Sequence, residues 1–131
     1  VKDSSYNLFE KLKLENFSLM PGSESKLLKG LELGCSGIIT ATCNVTAQLA
    51  RRVYDDFFSA KEQMYNQKLI DVRNAFEKYN LISALHTFKS KEDKIYENVL
   101  PPLGLLGSES DNNLMENLKK LNFQIKSKLA A

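Results

Sequence analysis

Two short apolar runs, each followed by a stretch with helical spacing of apolar residues, limit most strongly what this chain folds into. Residues 17–20 form the first run, which Pro21-Gly22 ends, and residues 37–41 form the second. Short apolar strands that alternate with amphipathic helices predict a parallel sheet buried on both faces. Val1-Lys2 fits the end of one more strand. Because two complete strands and a stub do not form a stable parallel sheet alone, we expect the chain to belong to a larger α/β protein.

Apolar residues at intervals of three and four predict six helices. The predicted helices begin near Tyr6, cover 27–33, open at Thr46, cover 61–79, cover 81–88, and run from Asp111 to Ile125. Ser4 or Ser5 is the expected cap of the first helix. The first part of the chain therefore alternates strands and helices, and the second part is helical.

Composition and charge exclude several classes of function. Eighteen Lys and Arg against sixteen Asp and Glu leave a net charge of +2, too small a surplus to indicate binding to nucleic acid or to an anionic membrane. No apolar run approaches the roughly 18 residues of a membrane-spanning helix. One histidine, His86, and two separated cysteines, Cys35 and Cys43, offer no metal-ligand spacing, and we expect both cysteines to be buried without a disulfide. No signal peptide is visible, so we expect a cytoplasmic protein.

Ligands of parallel α/β proteins bind where the strands end, in the loops that lead into the next helix. Here those loops are residues 2–5, 20–25 and 40–44, and each leads to a helix N-terminus, which attracts carboxylates. Gly22 would allow the backbone to approach a ligand closely. Hydroxyl groups in these loops are offered by Ser4, Ser5, Ser23, Thr40 and Thr42. Because the same residue types cap helices, ligand binding and capping both remain open from the spacing alone.

Lys2 is the sharpest chemical candidate. A lysine at the carboxyl end of a buried strand is partly desolvated, which favours the neutral amine that forms a Schiff base with a carbonyl substrate. The alternative is an exposed charge at the end of a strand. Glu24 likewise fits either a catalytic acid or a first-turn glutamate that stabilises its own helix.

Three segments, in this order and spacing, resemble the second half of the dihydrodipicolinate synthase and N-acetylneuraminate lyase family of class I aldolases. They are Val1-Lys2-Asp3-Ser4-Ser5, residues 17–24 and residues 33–45. The first is similar to the end of the family's strand six, where the Schiff-base lysine lies, the second to the end of strand seven, and the third to strand eight. The similarity covers residues 1–80 well. Residues 100–103 are similar, more loosely, to the proline-containing stretch before the family's last helix.

The resemblance implies an α/β protein, namely the C-terminal part of a (β/α)8 TIM barrel followed by a helical C-terminal domain. Strands six to eight and their helices would occupy residues 1–60, and the helical domain residues 61–131. A complete barrel takes about 250 residues. We therefore expect this chain to be a piece that lacks the N-terminal half of the barrel and is inactive by itself. The family usually assembles as a homotetramer.

Carried over by position, the resemblance implies that Lys2 is the catalytic Schiff-base residue and that the backbone carbonyl of Ile39 lines the pocket beside its amine. Further substrate-binding residues implied by position are Gly22, Ser23, Glu24 and Thr40. Synthases of the family commonly have Gly-Asp in the loop where this chain has Gly22-Ser23-Glu24. Neither a metal nor a cofactor is implied, because the lysine–pyruvate imine itself is the electron sink.

The implied activity is that of a pyruvate-dependent lyase or aldolase acting on small 2-keto acid and aldehyde substrates. Its leading version condenses pyruvate with aspartate semialdehyde and is a 4-hydroxy-tetrahydrodipicolinate synthase of lysine biosynthesis. A 2-keto-3-deoxy sugar-acid aldolase or dehydratase is the alternative within the family. A relative that has lost catalysis and acts as a binding subunit is the alternative from another class. No nucleic-acid or membrane partner is implied.

Overall fold

A parallel pair of short strands is the framework of the first part of the chain. The structure, a computed structural model, describes residues 1–5, 8–12 and 15–124. It divides into two compact units, residues 1–70 and residues 71–131. In chain order the elements are β1 (Lys2–Asp3), α1 (Leu8–Lys11), β2 (Met20–Pro21), a 3₁₀ turn (Glu24–Lys26), α2 (Leu27–Glu32), α3 (Cys43–Phe58), α4 (Asn66–Glu77), α5 (Leu81–Ser90), a second 3₁₀ turn (Lys94–Glu97) and α6 (Ser108–Lys120).

The two strands β1 and β2 pair in parallel, with Lys2 opposite Met20 and Asp3 opposite Pro21. The first apolar run therefore does form a strand, although the paired residues lie at its end and include the proline. Proline has no N–H to give to a ladder. Pro21 is tolerated here because it takes part in the hydrogen bonding through its carbonyl, which accepts the Ile39 N–H at 3.1 Å.

The second apolar run does not form the regular strand that its composition predicts. The Ser36 N–H donates to the Leu19 carbonyl at 3.3 Å, and the Ile39 N–H donates to the Pro21 carbonyl. The donors are three residues apart and the acceptors two, so one extra residue interrupts the ladder, as in a β-bulge. Gly37, with φ of +146°, adopts a backbone conformation that residues with a side chain rarely reach.

Helices α2 and α3 and the first turn of α4 bury a common core in the first unit. Its buried members are Leu27, Leu31, Ala50, Val53 and Leu69. Helix α3 begins at Cys43, three residues before the predicted start. The reason is that the Thr40 hydroxyl accepts the Cys43 N–H at 3.1 Å and so satisfies a donor of the first turn.

The second unit is helical, as the sequence predicts. Its buried apolar side chains are Val72, Ala75, Phe76, Ala84, Leu85, Phe88, Leu114 and Leu118. The rings of Phe76 and Phe88 meet nearly at right angles with centroids 5.4 Å apart, a favourable edge-to-face contact. Helix α5 begins after Asn80, whose side chain accepts the Ser83 N–H at 3.1 Å. Helices α4 and α6 differ from the predicted ranges by a few residues at their ends.

Two predicted helix ends, at Tyr6 and at Ile125, lie outside the described residues. Among the residues that the structure describes, no helix is long and apolar enough to cross a membrane. The same residues contain no group of three or more His, Cys, Asp or Glu side chains that could hold a metal ion.

Candidate active site

A pocket of about 160 Å³ lies where β1 and β2 end. The strands are parallel and in register, so the turns that follow them meet at the same edge of the sheet. The pocket is lined by Asp3, Ser4, Phe9, Pro21, Gly22, Ser23 and Lys26. The sequence placed a ligand site in these two turns, but it gave no reason to expect the ring of Phe9 or the side chain of Lys26 there.

Lys2 is not among the residues that line this pocket, but it lies against one of them, Gly22. The Lys2 Cε is 3.3 Å from the position that a Cβ on Gly22 would occupy, so the lysine stem passes over the bare glycine backbone. Successive side chains of a strand point to opposite faces, and Lys2 therefore faces away from the buried Asp3. Lys2 is exposed in this structure, in contrast to the partial burial expected for a strand end, because the described residues leave that face of β1 open.

Asp3 fixes the turn after β1. Its carboxylate accepts hydrogen bonds from the Ser5 N–H at 2.8 Å, from the Ser5 hydroxyl at 2.6 Å and from the Phe9 N–H at 2.9 Å. These hydrogen bonds, that of the Ser5 hydroxyl foremost, lower the pKa of the Asp3 carboxyl. Ser4 or Ser5 was the predicted cap of a helix that starts near Tyr6, a position outside the described residues, whereas the Asp3 carboxylate binds the first turn of α1 at the Phe9 N–H.

Glu24 is completely buried. Its Oε1 atom accepts a hydrogen bond from the Thr40 hydroxyl at 2.6 Å and another from the Thr46 hydroxyl at 3.0 Å. The carboxylate therefore joins the turn after β2 to the segment that follows Gly37 and to α3. The sequence offered two roles for Glu24, a catalytic acid or a first-turn glutamate. Neither anticipated these partners, which lie 16 and 22 residues further along the chain.

The remaining predicted site residues are distributed between the pocket and its surroundings. Ser23 is a buried part of the pocket wall, and its hydroxyl accepts the Ser25 N–H at 3.4 Å, so it also caps the 3₁₀ turn. Ile39 is bound to β2 through its N–H, and its side chain is 47% exposed. The structure thus brings Lys2 and Gly22 into contact and places Ser23 beside them. Thr40 is turned toward Glu24.

The two cysteines carry free thiols. Cys35 is buried, as expected, whereas Cys43 is only half-buried. Burial raises the pKa of both thiols, and a nearby carboxylate adds to this effect, Asp3 at Cys35 and Glu24 at Cys43. Both groups are therefore held as neutral thiols.

Several solved structures share this fold. Dihydrodipicolinate synthase from Agrobacterium tumefaciens str. C58 is 23% identical with a TM-score of 0.75, over 92% of this chain and 42% of that chain. Dihydrodipicolinate synthase from Aquifex aeolicus is 23% identical with a TM-score of 0.73, over 96% of this chain and 46% of that chain. YagE, a prophage protein of the dihydrodipicolinic acid synthase family from E. coli K12, was solved in complex with pyruvate. It is 22% identical with a TM-score of 0.64, over 82% of this chain and 38% of that chain.

This chain spans less than half the length of these three structures. Their likeness implies a TIM-barrel fold. The described residues of this chain form two strands, β1 and β2, and are otherwise mostly helical. No curated protein sequence matches the chain. The sequence profile of the dihydrodipicolinate synthetase family matches residues 1–121, which is most of the chain. The chain therefore belongs to the dihydrodipicolinate synthetase family.

Proposed function

We propose that this chain is the C-terminal portion of a pyruvate-dependent lyase that acts through a Schiff base on Lys2. The observation that carries the proposal is the position of the Lys2 stem against Gly22, at the shared end of two parallel strands. In α/β barrels this end of the strands holds the active site. Gly22 leaves space that any other residue would fill, since an added Cβ would lie 3.0 Å from the Asp3 carbonyl oxygen as well as 3.3 Å from the Lys2 Cε.

The chemistry begins when the neutral amine of Lys2 attacks the ketone carbon of pyruvate. The resulting carbinolamine loses water and becomes a protonated imine. Because the imine withdraws electrons, the methyl carbon of pyruvate can release a proton, and an enamine forms. The enamine carbon then attacks the carbonyl carbon of an aldehyde, whose oxygen takes up a proton, and water finally releases the product from the lysine. The imine is the electron sink, so this reaction needs neither a metal nor an organic cofactor.

On this proposal the backbone carbonyl of Ile39 accepts a hydrogen bond from the reacting amine. Asp3 pairs with Pro21 on one side of β2, and Ile39 is bonded to Pro21 on the other. Neighbouring strands lie about 4.8 Å apart, so the backbones of Lys2 and Ile39 are roughly 10 Å apart, a gap that the long lysine side chain can bridge. Gly22 lies between them, with Ser23 beside it, where the substrate would bind.

The exposure of Lys2 bears on this proposal, because an amine in water stays protonated and is a poor nucleophile. The similar structures are more than twice as long as this chain. We propose that a further portion of the same polypeptide completes the barrel, covers the open face of β1 and desolvates Lys2. On the same proposal, β1, β2 and the bulged segment that follows Gly37 are strands six to eight of the barrel. The complete protein is then a cytoplasmic homotetramer, and this chain alone does not turn over substrate.

Reductive trapping with pyruvate tests the proposal. The complete protein is treated with pyruvate and borohydride, digested with trypsin and analysed by mass spectrometry. We expect the atoms of pyruvate less one oxygen to be added at Lys2, within a peptide that continues to Lys11, because trypsin does not cleave after a modified lysine. Lys2→Ala should abolish both labelling and turnover. Lys2→Arg should do the same, because a guanidinium stays protonated and forms no imine.

Lys29→Ala is the matched control, since Lys29 is an exposed lysine of α2 whose partner is Glu32. This variant should be labelled and should turn over substrate as the wild type does. Labelling at a lysine other than Lys2, or turnover of Lys2→Ala near the wild-type rate, would refute the assignment.

For the second substrate we propose aspartate semialdehyde, which makes the complete protein a 4-hydroxy-tetrahydrodipicolinate synthase. The support is the sequence Thr40-Ala41-Thr42-Cys43-Asn44, which resembles the synthases more than the sugar-acid aldolases or sialic acid lyases. Turnover with aspartate semialdehyde and pyruvate is to be compared with turnover of a 2-keto-3-deoxy sugar acid. A higher rate with the sugar acid would favour the aldolase or dehydratase alternative. A folded protein that neither labels nor turns over either substrate would favour a binding subunit.

A further inference from the structure

A hydrogen-bond cluster around the buried Glu24 lies next to the proposed site, and the chemistry described above does not use it. It consists of the Glu24 carboxylate with the hydroxyls of Thr40 and Thr46. We propose that Glu24 is a positioning residue, which holds the Ile39 carbonyl at the Lys2 amine by way of Thr40. This inference rests on the proposed function of Lys2.

The Ile39 carbonyl belongs to the peptide unit that joins Ile39 to Thr40, and each of these two residues is held by hydrogen bonds. The Ile39 N–H is bound to the Pro21 carbonyl at 3.1 Å. The Thr40 hydroxyl donates its single proton to Glu24 at 2.6 Å. With its proton committed there, the same hydroxyl presents a lone pair to the Cys43 N–H at 3.1 Å. Both contacts of Thr40 therefore fix the direction in which the preceding carbonyl points.

The segment needs such an anchor because its ladder to β2 is irregular. One extra residue near Gly37 interrupts the hydrogen bonds that would hold a regular strand in register. A side-chain contact from the turn after β2 replaces them. Glu24 has no exposed surface, so the carboxylate end of this anchor is shielded from water, whereas Thr40 is half-buried.

This role differs from the substrate contact that the family resemblance implied for Glu24 and Thr40. The Glu24 carboxylate is completely buried and already accepts two hydroxyl protons. It acts on the reaction through the backbone beside Thr40 and touches neither substrate nor the reacting atoms.

Thr40 and Thr46 provide a matched pair of variants. Both hydroxyls contact the same oxygen of Glu24, although the Thr46 hydroxyl shares its one proton with the Thr42 carbonyl, at 3.1 Å. Only Thr40 adjoins the Ile39 carbonyl, whereas Thr46 lies within α3. Thr40→Val and Thr46→Val are made in the complete protein, and the rate of borohydride-trappable imine formation on Lys2 is measured per folded molecule. We expect Thr40→Val to slow imine formation roughly tenfold, since a misplaced group at a reacting centre costs this much or more. Thr46→Val should slow it less than about twofold, and Thr40→Ser, which keeps the hydroxyl, should restore the wild-type rate.

A purely structural role of the cluster predicts that Thr40→Val and Thr46→Val slow the imine step equally, and that result overturns the inference. An unchanged rate in Thr40→Val overturns it as well. If Thr40→Val does not fold, Glu24→Asp is measured instead. This variant keeps the negative charge, but its side chain is one methylene shorter, so its carboxylate lies further from the Thr40 hydroxyl. A wild-type imine rate in Glu24→Asp then counts against the inference. Absence of Lys2 labelling in the wild-type protein is a different outcome, which overturns the proposed function and this inference with it.

Discussion

The Asp3 carboxylate accepts the backbone N–H of Phe9, six residues further along the chain, at 2.9 Å. This contact closes the turn between β1 and α1. Lys2 precedes Asp3 in a strand of two residues, so the two side chains lie on opposite faces of the sheet. The hydrogen bond from Phe9 thus holds β1 to α1 on one face of the sheet, while the Lys2 side chain lies on the opposite face.

Asp3 should make the protein sensitive to acid. Hydrogen bonds from Ser5 and Phe9 lower the pKa of Asp3 below its ordinary value of 3.8. A carboxyl whose pKa is depressed in the folded state contributes stability above its unfolded-state pKa and loses that contribution as pH falls through the folded-state pKa. We expect the free energy of unfolding, measured with urea, to decline below about pH 4 in the wild-type protein. The decline should be shallower for Asp3→Asn.

The control for this acid effect is Glu62→Gln, at an exposed glutamate between α3 and α4. Its stability should decline with acid as steeply as that of the wild type. If Asp3→Asn also keeps the wild-type slope, the carboxylate of Asp3 is not the group that titrates.

Gly22 should not tolerate a side chain. A Cβ there would lie 3.0 Å from the Asp3 carbonyl oxygen, which belongs to the backbone and cannot move aside cheaply, and 3.3 Å from the Lys2 Cε. We expect Gly22→Ala to lower the free energy of unfolding by about 1–3 kcal/mol, the usual cost of overpacking, and to reduce pyruvate labelling of Lys2. Gly104→Ala is the matched control, since a Cβ at Gly104 meets nothing within 4 Å. Equal stability of the two variants would show that the strand ends can separate without cost.

Local patterns account for the part of the fold that the sequence predicted. The spacing of apolar residues predicted the helices that carry Phe76 and Phe88, and the structure buries both side chains. The end of the first apolar run at Pro21-Gly22 placed a candidate ligand site in a turn that lines a pocket of the structure. The spacing of apolar residues and the identity of turn residues depend on a few neighbouring positions. They therefore predict the same local structure whatever the rest of the protein is.

Contacts between distant residues account for what the sequence missed. Glu24 meets Thr40 and Thr46 only because the fold brings three segments together. The β-branched Ile38-Ile39 favoured a strand, but the conformational freedom of Gly37 allowed a bulge instead. The exposure of Lys2 depends on which other segments cover β1, and the pattern of one strand does not reveal its neighbours.

The core of the second unit should depend strongly on Leu114. This side chain of α6 is completely buried, whereas Leu100 is 85% exposed. Removing a buried leucine side chain loses its transfer free energy and leaves a cavity. We therefore expect Leu114→Ala to lower the free energy of unfolding by about 2–5 kcal/mol. Leu100→Ala, the same substitution at an exposed position, should change it by less than about 0.5 kcal/mol, and comparable losses in both variants would contradict the assigned core.

The reactivity of Cys43 should report the charge of Glu24. Burial raises the pKa of the Cys43 thiol, and the nearby Glu24 carboxylate raises it further. Alkylating reagents attack the thiolate, so a raised pKa slows the reaction at a given pH. We expect Glu24→Gln to accelerate alkylation of Cys43 several-fold at pH 8, measured by mass spectrometry. Cys35 is the internal control, because the carboxylate near it is Asp3, and its rate should not change. Equal acceleration of both thiols would attribute the effect to loosened packing rather than to the charge of Glu24.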